Sequence, residues 1–279
     1  MEKVGIIVTG SSGYIGTQLI KKISKRNLIL CTRESFQHHE TKLFDSENNI
    51  IEKISNKYTS FVIIHLATYF SKKTSDNRLI KEANLDFGFK LIDYTKELHI
   101  KKIIYTNTMF NFYNDFSIRN LEYTKTKAEF SEYLKEYAFN KNIIYDEIFL
   151  DSTFGGIDKR KKIIPLIVEC VLNNKISPVL DKNSTLNLIY YQDVIDRILK
   201  SILSNVHGSS SFINTNSINT ESIYKYLSHY YKNNLQKSNI LSYIPNSYTP
   251  KFPKVNYLDI KISKIEDKLI SYLNQFQLR

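Results

Sequence analysis

The stretch Val4-Gly5-Ile6-Ile7-Val8-Thr9-Gly10-Ser11-Ser12-Gly13-Tyr14-Ile15-Gly16 decides the fold. Residues 3 to 9 are a short apolar run, and residues 14 to 25 place Ile15, Leu19, Ile20 and Ile23 at helical spacing. The order is therefore strand, tight turn, helix. The turn requires Gly10, the absent side chain of Gly13 lets a pyrophosphate approach the backbone, and Gly16 lets helix and strand pack closely. N–H groups at the start of the helix then face the phosphate. The phrase predicts a dinucleotide site lined by Gly10, Ser12, Gly13, Tyr14, Ile15 and Gly16. A tight turn that uses the same residues only structurally is the competing reading.

Outward from this unit the pattern repeats. LILCT at 28 to 32, KLFD near 42 to 45, FVIIHLA at 61 to 67, KKIIYTNT at 101 to 108 and NIIYDEIFL at 142 to 150 read as strands between helical segments, one of them running from about 120 to 139. Such alternation predicts an α/β fold, a doubly wound parallel sheet of the Rossmann kind. Past residue 150 the pattern loosens into a polar loop (GGIDKRKK), a helix (IIPLIVECVL), a strand (LNLIYY), a helix (DVIDRILKSIL), a strand (SSFINTN) and a final amphipathic helix (SKIEDKLISYLNQF). The expectation is a dinucleotide-binding domain over 1–150. Residues 151–279 then form a mixed segment that completes the sheet and builds a small C-terminal substrate-binding lobe, the two interleaved in sequence.

The 279 residues, 42% hydrophobic and 24% charged, suit a soluble globular protein with a substantial core. Cys31 and Cys170 lie far apart in apolar stretches, as two free thiols in a reducing cytoplasm would. The opening apolar run is too short for a signal peptide or a membrane span. The formal charge of +11 is scattered and forms no basic block with interleaved aromatics, which argues against nucleic acid and suits an anionic cofactor and substrate. His38 and His39 have no further ligands at metal-like spacing, so no metal is expected.

A second feature is Leu121-Glu122-Tyr123-Thr124-Lys125-Thr126-Lys127-Ala128, where Tyr123 and Lys127 stand four apart and share one helix face. An ammonium beside a phenol favours the tyrosinate, so the pair can exchange a proton with a substrate oxygen. With twenty tyrosines in the chain the spacing alone is cheap. Its weight comes from the strand before it, which ends in the hydroxyl-bearing Thr106-Asn107-Thr108, because open parallel sheets bind ligands at such carboxyl ends.

TGxxGxxG followed by YxxxK, in this order and separation, resembles the extended short-chain dehydrogenase/reductases, the NAD-dependent epimerase/dehydratase family, over most of the chain. The resemblance implies catalysis by Tyr123 and Lys127, with Thr108 (Thr106 the alternative) holding the reacting oxygen. It also implies cofactor contacts from Lys127, from Leu66 and Ala67 in HLAT, from Asn84 in KEANLDF and from Asp45 in KLFD. Asp193 in YYQDV matches a family aspartate and is read as a helix N-cap; His65 is read as positional. A homodimer is what the family implies.

The second strand ends at Thr32-Arg33, where an acidic residue commonly holds the ribose of NAD. An arginine can pair with a 2′-phosphate, so NADP is favoured and NAD is the alternative. Dehydratases of the family carry an acidic pair after the catalytic Thr, whereas this chain has Met109-Phe110. HLATYF, YTNTMF and FGGIDKRKKIIPLI are similar to the branch that contains CDP-abequose synthase and 4-keto-6-deoxyhexose reductases, with Phe154 and Gly156 departing from its substrate loop. The implied function is NADPH-dependent reduction of a 4-keto-6-deoxyhexose nucleotide, with Arg160, Lys161 or Lys162 near its pyrophosphate. The alternatives are an epimerase with retained NAD and a non-catalytic NAD(P)-binding regulatory protein.

Overall fold

The apolar runs pair side by side in one six-stranded sheet. The computed structural model describes residues 3–31, 50–158, 162–176, 185–212, 216–233, 241, 243–245 and 262–277. In chain order the first elements are β1 (Val4–Thr9), α1 (Tyr14–Leu19), β2 (Leu28–Cys31), α2 (Ile50–Lys57) and β3 (Ser60–His65). They are followed by α3 (Asn77–Lys81), α4 (Phe87–Thr95), β4 (Ile100–Thr108), α5 (Phe116–Arg119), α6 (Glu122–Asn140) and β5 (Ile144–Leu150). The sheet runs β2-β1-β3-β4-β5 and ends on β9 (Gly208–Ser211). β1 pairs in parallel with β2 and β3, β3 with β4, and β5 with β9.

The chain grows to one side of β1 through β2 and then to the other through β3. This reversal makes a switch point, and the carboxyl ends of β1 and β3 are where such sheets open a crevice. Both faces are covered, so the strands read as continuous apolar runs rather than alternating ones; all six residues of β3 are buried. One core joins Ile63 and Tyr105 of the sheet to Leu91 of α4 and to Phe130 and Leu134 of α6. Close packing explains Gly88 in α4: a Cβ there would come within 2.4 Å of the Phe130 ring.

Between α3 and α4 the five residues Glu82–Asp86 form a π-helical turn, so the helix carries one extra residue at Asn84. The polar strand β9, Gly-Ser-Ser-Ser, is in a buried sheet where two of its three hydroxyls have charged partners. Ser209 Oγ donates to Glu147 (2.8 Å), and Ser210 Oγ accepts from Arg197 (3.2 Å).

Two compact units divide the chain: residues 1–149 with 197–211, and residues 150–196 with 212–279. In the second, β6 (Ser152–Phe154) pairs in parallel with β8 (Leu188–Tyr190). β10 (Asn216–Asn219) runs antiparallel to β7 (Thr185–Leu186) and β11 (Tyr243–Pro245). α7 (Ile163–Leu172), α9 (Thr220–Asn233) and α10 (Ile265–Gln277) close on Phe154, Ile167, Ile223, Leu227 and Leu269. α8 (Tyr191–Leu203) begins in the second unit and ends in the first.

Four sequence expectations change. The first helix stops at Leu19 rather than near residue 25, because the Lys22 N–H bonds the Leu19 carbonyl three residues back (2.9 Å); Ile23 is buried from a turn. The run LNLIYY is not one strand. Buried Asn187 interrupts it, its carbonyl taking the Ser152 N–H (3.3 Å), so β7 and β8 join different sheets and Tyr191 opens α8. The single strand at SSFINTN is likewise two, β9 in the large sheet and β10 in the second unit.

Asp193 is not an N-cap. It lies inside the first turn of α8, and its carboxylate accepts the N–H and hydroxyl of Ser263 (3.0 and 2.8 Å), tying the segment before α10 to that turn. The strand near 42–45 lies outside the described residues. Among those described, no helix is long and apolar enough to cross a membrane.

Candidate active site

Thr9, the last residue of β1, joins the first two strands of the switch point. Its Oγ1 accepts the N–H groups of Leu66 (3.1 Å) and Ala67 (3.2 Å), which directs its own proton to Nδ1 of His65 at 3.0 Å. Nε2 of His65 is then the protonated nitrogen. It has no hydrogen-bond partner and lies among the rings of Phe87, Tyr105 and Phe130, with centroids 5.1 to 6.2 Å away. Burial, helped by the charge of Lys127, pushes the imidazole down to about 3, so His65 is a neutral spacer at the end of β3.

The glycine turn has one closed side and one open side. Gly10 has φ +67°, and a Cβ there would fall 2.7 Å from the Ala67 nitrogen; one at Gly16 would fall 2.1 Å from the Gly10 carbonyl oxygen. These two positions are closed by the protein itself. A Cβ at Gly13 meets only the Gly10 oxygen, at 3.1 Å, and Gly13 and Ser12 are exposed. The open flank at Gly13 fits the backbone approach of a dinucleotide pyrophosphate. Tyr14 and Ile15 follow, half-buried, in the first turn of α1.

Asn84 lies buried in the π-helical turn. Its Oδ1 accepts from the Tyr69 N–H (2.8 Å) and the Thr68 hydroxyl (3.1 Å), and its Nδ2 donates to the Tyr69 carbonyl and to Thr126 Oγ1 (both 3.2 Å). The amide therefore ties the loop after β3 to α6, one turn from Tyr123.

On α6, Tyr123 and Lys127 face the end of β4. Lys127 is buried, its Nζ donates to the Thr106 carbonyl at 2.6 Å, and it lies 4.1 Å from the centre of the Tyr105 ring. Burial lowers its ammonium to about 7, against the upward pull of Glu147. Tyr123 is half-buried, edge-to-face with Phe70 (4.9 Å) and Phe110 (6.1 Å). Phe110 connects the tyrosine to Thr108, whose Oγ1 accepts the Phe110 N–H at 3.2 Å. Thr106 turns its hydroxyl to the His65 carbonyl (3.4 Å) and gives its own carbonyl to Lys127.

A family model described as the NAD dependent epimerase/dehydratase family matches residues 6–214. The chain belongs to this family. It is accordingly an NAD(P)-dependent enzyme. CDP-abequose synthase from Salmonella typhimurium is 29% identical over 212 residues, covering 72% of this chain and 70% of that protein. The protein of the same name from Yersinia pseudotuberculosis is 27% identical over 218 residues, 71% of this chain and 73% of its own. UDP-glucuronic acid 4-epimerase from Bacillus cereus, solved with UDP-glucuronic acid and NAD, superposes with a TM-score of 0.73 at 17% identity, covering 98% and 99% of the two chains. That likeness carries the Rossmann fold.

The structure thus brings Gly10, Leu66 and Ala67 together at the switch point, and Tyr123, Lys127 and Thr108 around the end of β4. Arg33, Asp45, Arg160 and Lys161 lie outside the described residues, and Lys162 is exposed before α7. Sequence reasoning missed Thr9, Phe70, Asn107 and Glu147. Only Glu147 left a signal: two carboxylates, Asp146 and Glu147, inside an apolar strand.

Proposed function

We propose that the protein reduces the 4-keto group of a nucleotide-linked 6-deoxyhexose, using NADPH. The observation that carries this reading is the grouping of Tyr123, Lys127 and Thr108 at the carboxyl end of β4, joined through Phe110 and the Thr106 carbonyl. The relatives named CDP-abequose synthase support a nucleotide sugar as substrate. Met109-Phe110, where a dehydratase would carry carboxylates, supports simple reduction; Met109 is fully buried and offers no acid or base.

A nicotinamide cofactor, when bound, would supply the hydride for C4. Tyr123 gives its phenolic proton to O4 as the C4–O4 double bond becomes a single bond, and regains a proton from water afterwards. Lys127, as the ammonium, favours the transient tyrosinate. Thr108 accepts from Phe110 N–H, which leaves its hydroxyl proton to be donated to O4. Phe70 and Phe110 pack edge-to-face on two flanks of the tyrosine ring and fix its orientation.

Gly13 and the loop at Leu66 and Ala67 would hold the dinucleotide, and Arg33 beside Thr32 is the ground for NADPH. A cytoplasmic setting and a homodimer belong to the same proposal, the first supported by the free thiol of Cys170.

The test follows NADPH and, separately, NADH at 340 nm with CDP-, dTDP-, GDP- and UDP-linked 4-keto-6-deoxyhexoses. Consumption of NADPH with one donor is expected, together with a loss of about a thousandfold in kcat for Tyr123→Phe while NADPH still binds. Interconversion of sugars without net consumption replaces this reading with an epimerase that retains NAD. Full activity of Tyr123→Phe removes the catalytic assignment.

A further inference from the structure

We infer that Glu147 is a positioning residue for this site: its buried carboxylate on β5 fixes the amide of Asn107, which in turn holds Thr108, and it meets α6 at Ser131, one turn from Lys127. The inference rests on the roles proposed above for Thr108 and Lys127.

Glu147 is fully buried, an expensive place for a carboxylate unless every oxygen is engaged. Oε1 accepts from Asn107 Nδ2 at 2.8 Å and from the Ser131 hydroxyl. Oε2 accepts from Ser209 Oγ at 2.8 Å and lies 3.5 Å from Lys135 Nζ. Lys135 is shared with Glu132 at 2.8 Å and its side chain is 40% exposed, so it screens the buried charge only in part. The neutral donors Asn107, Ser131, Ser209 and Tyr145 and one partly exposed cation leave the charge of the carboxylate only partly matched.

The imbalance has two readable effects. A carboxylate can only accept, so Asn107 must present its NH2 group to Glu147, and its Oδ1 is thereby aimed at the Thr108 N–H, 2.7 Å away. Thr108 is then held at both ends, by Asn107 through its N–H and by the Phe110 N–H through its hydroxyl. The second effect falls on Lys127. The groups around it are the neutral His65 of β3, Tyr105 of β4, Tyr123 of its own helix and Glu147 of β5, so Glu147 is the anion that opposes its burial. A glutamine at 147 has the same shape but removes the charge and can offer Asn107 either end of its amide.

The experiment uses the full chain and Glu147→Gln. In the reductase assay kcat is expected to fall about tenfold, the size of one lost hydrogen bond at the reacting group. KM for NADPH stays within about twofold. The alkaline limb of the pH profile moves down by about one unit, since the ammonium of Lys127 loses its stabilising neighbour. Glu147→Asp keeps the charge while drawing it away from Asn107, so kcat falls and the limb stays. Ser209→Ala loses one Oε2 bond and alters stability without moving the limb.

A folded Glu147→Gln protein with wild-type kcat and limb overturns the inference. If that variant does not fold, Asn107→Ala decides: a kcat loss supports the inference and wild-type kcat sinks it. A substrate-free arm, 15Nζ NMR of Lys127 in wild type, Glu147→Gln and Glu147→Asp, separates the two claims. Absence of turnover by wild type fails the functional reading, whereas a Lys127 titration unchanged by Glu147→Gln fails this inference alone.

Discussion

Asp146 and Glu147 are consecutive residues of one strand, both fully buried, and they point to opposite faces of the sheet. Asp146 turns to α8. Arg197 grips it with two N–H donors, at 2.8 and 2.6 Å, and the Ser201 hydroxyl adds a third bond. Glu147 turns to α6 and finds the Asn107 amide, the hydroxyls of Ser131 and Ser209, the Tyr145 phenol and a half-exposed lysine. The first carboxylate is paired with a buried guanidinium where it stands, and its field reaches Lys102 rather than the site. The second is met mainly by neutral donors and lies one amide away from Thr108 and one helical turn away from Lys127. Adjacent residues of the same chemistry thus serve packing on one face and the site on the other, and the difference lies in the partner.

The sharpest way to break this comparison is to remove Asp146. Asp146→Ala leaves the Arg197 guanidinium buried and uncompensated, and a stability loss of about 3–5 kcal/mol is expected in urea unfolding. The alkaline limb of activity should not move, because this charge does not face Lys127. Replacing both partners, Asp146→Leu with Arg197→Met, should recover much of the loss, since the buried guanidinium goes with its partner while Lys102 keeps the Ser201 and Ser204 carbonyls. A double variant no more stable than Asp146→Ala would mean that the pair itself, and not the orphaned arginine, carries the effect.

On the other face the largest expected effect comes from Lys127→Met in the cofactor-free protein. Below about pH 7 folded and unfolded chains both carry the ammonium, and the folded one bears its full burial cost. Between about 7 and 10.5 the folded lysine is neutral while the unfolded one is protonated, so wild-type stability rises with pH. The methionine variant should therefore exceed wild type by on the order of 2–4 kcal/mol at pH 6, with the gap closing towards pH 10.5. A gap independent of pH would detach the lysine from this titration. The smallest effect is Ser209→Ala, about 1 kcal/mol by urea unfolding.

Much of this arrangement is legible in the sequence because it rests on local signals. The glycine turn, the i, i+4 pair on α6 and the runs at 3–9, LILCT, FVIIHLA, KKIIYTNT and NIIYDEIFL, which form β1 to β5 of the large sheet, each declare themselves within a dozen residues. The partners of Asp146 and Glu147 do not. Arg197 is 51 residues away from Asp146, and Asn107 and Ser209 are 40 and 62 from Glu147, so only the topology brings them together. The break at Asn187 is hidden for a related reason: one asparagine between apolar residues fits an alternating strand, and pattern alone does not reveal that β7 and β8 join different sheets. Asp193 misled through its position, since an aspartate ahead of a helical run has the look of a cap, and its partner Ser263 is 70 residues downstream.

The π-helical turn at Glu82–Asp86 has a consequence for how this protein can vary through descent. Its single surplus residue puts Asn84 where it can reach Thr68, Tyr69 and Thr126 together. Loss of one codon there would let the segment close as ordinary helix, and α3 would turn by about 100° against α4. Point substitutions can be absorbed one contact at a time, but an in-frame deletion would carry the whole amide clamp away from the loop beside Tyr123.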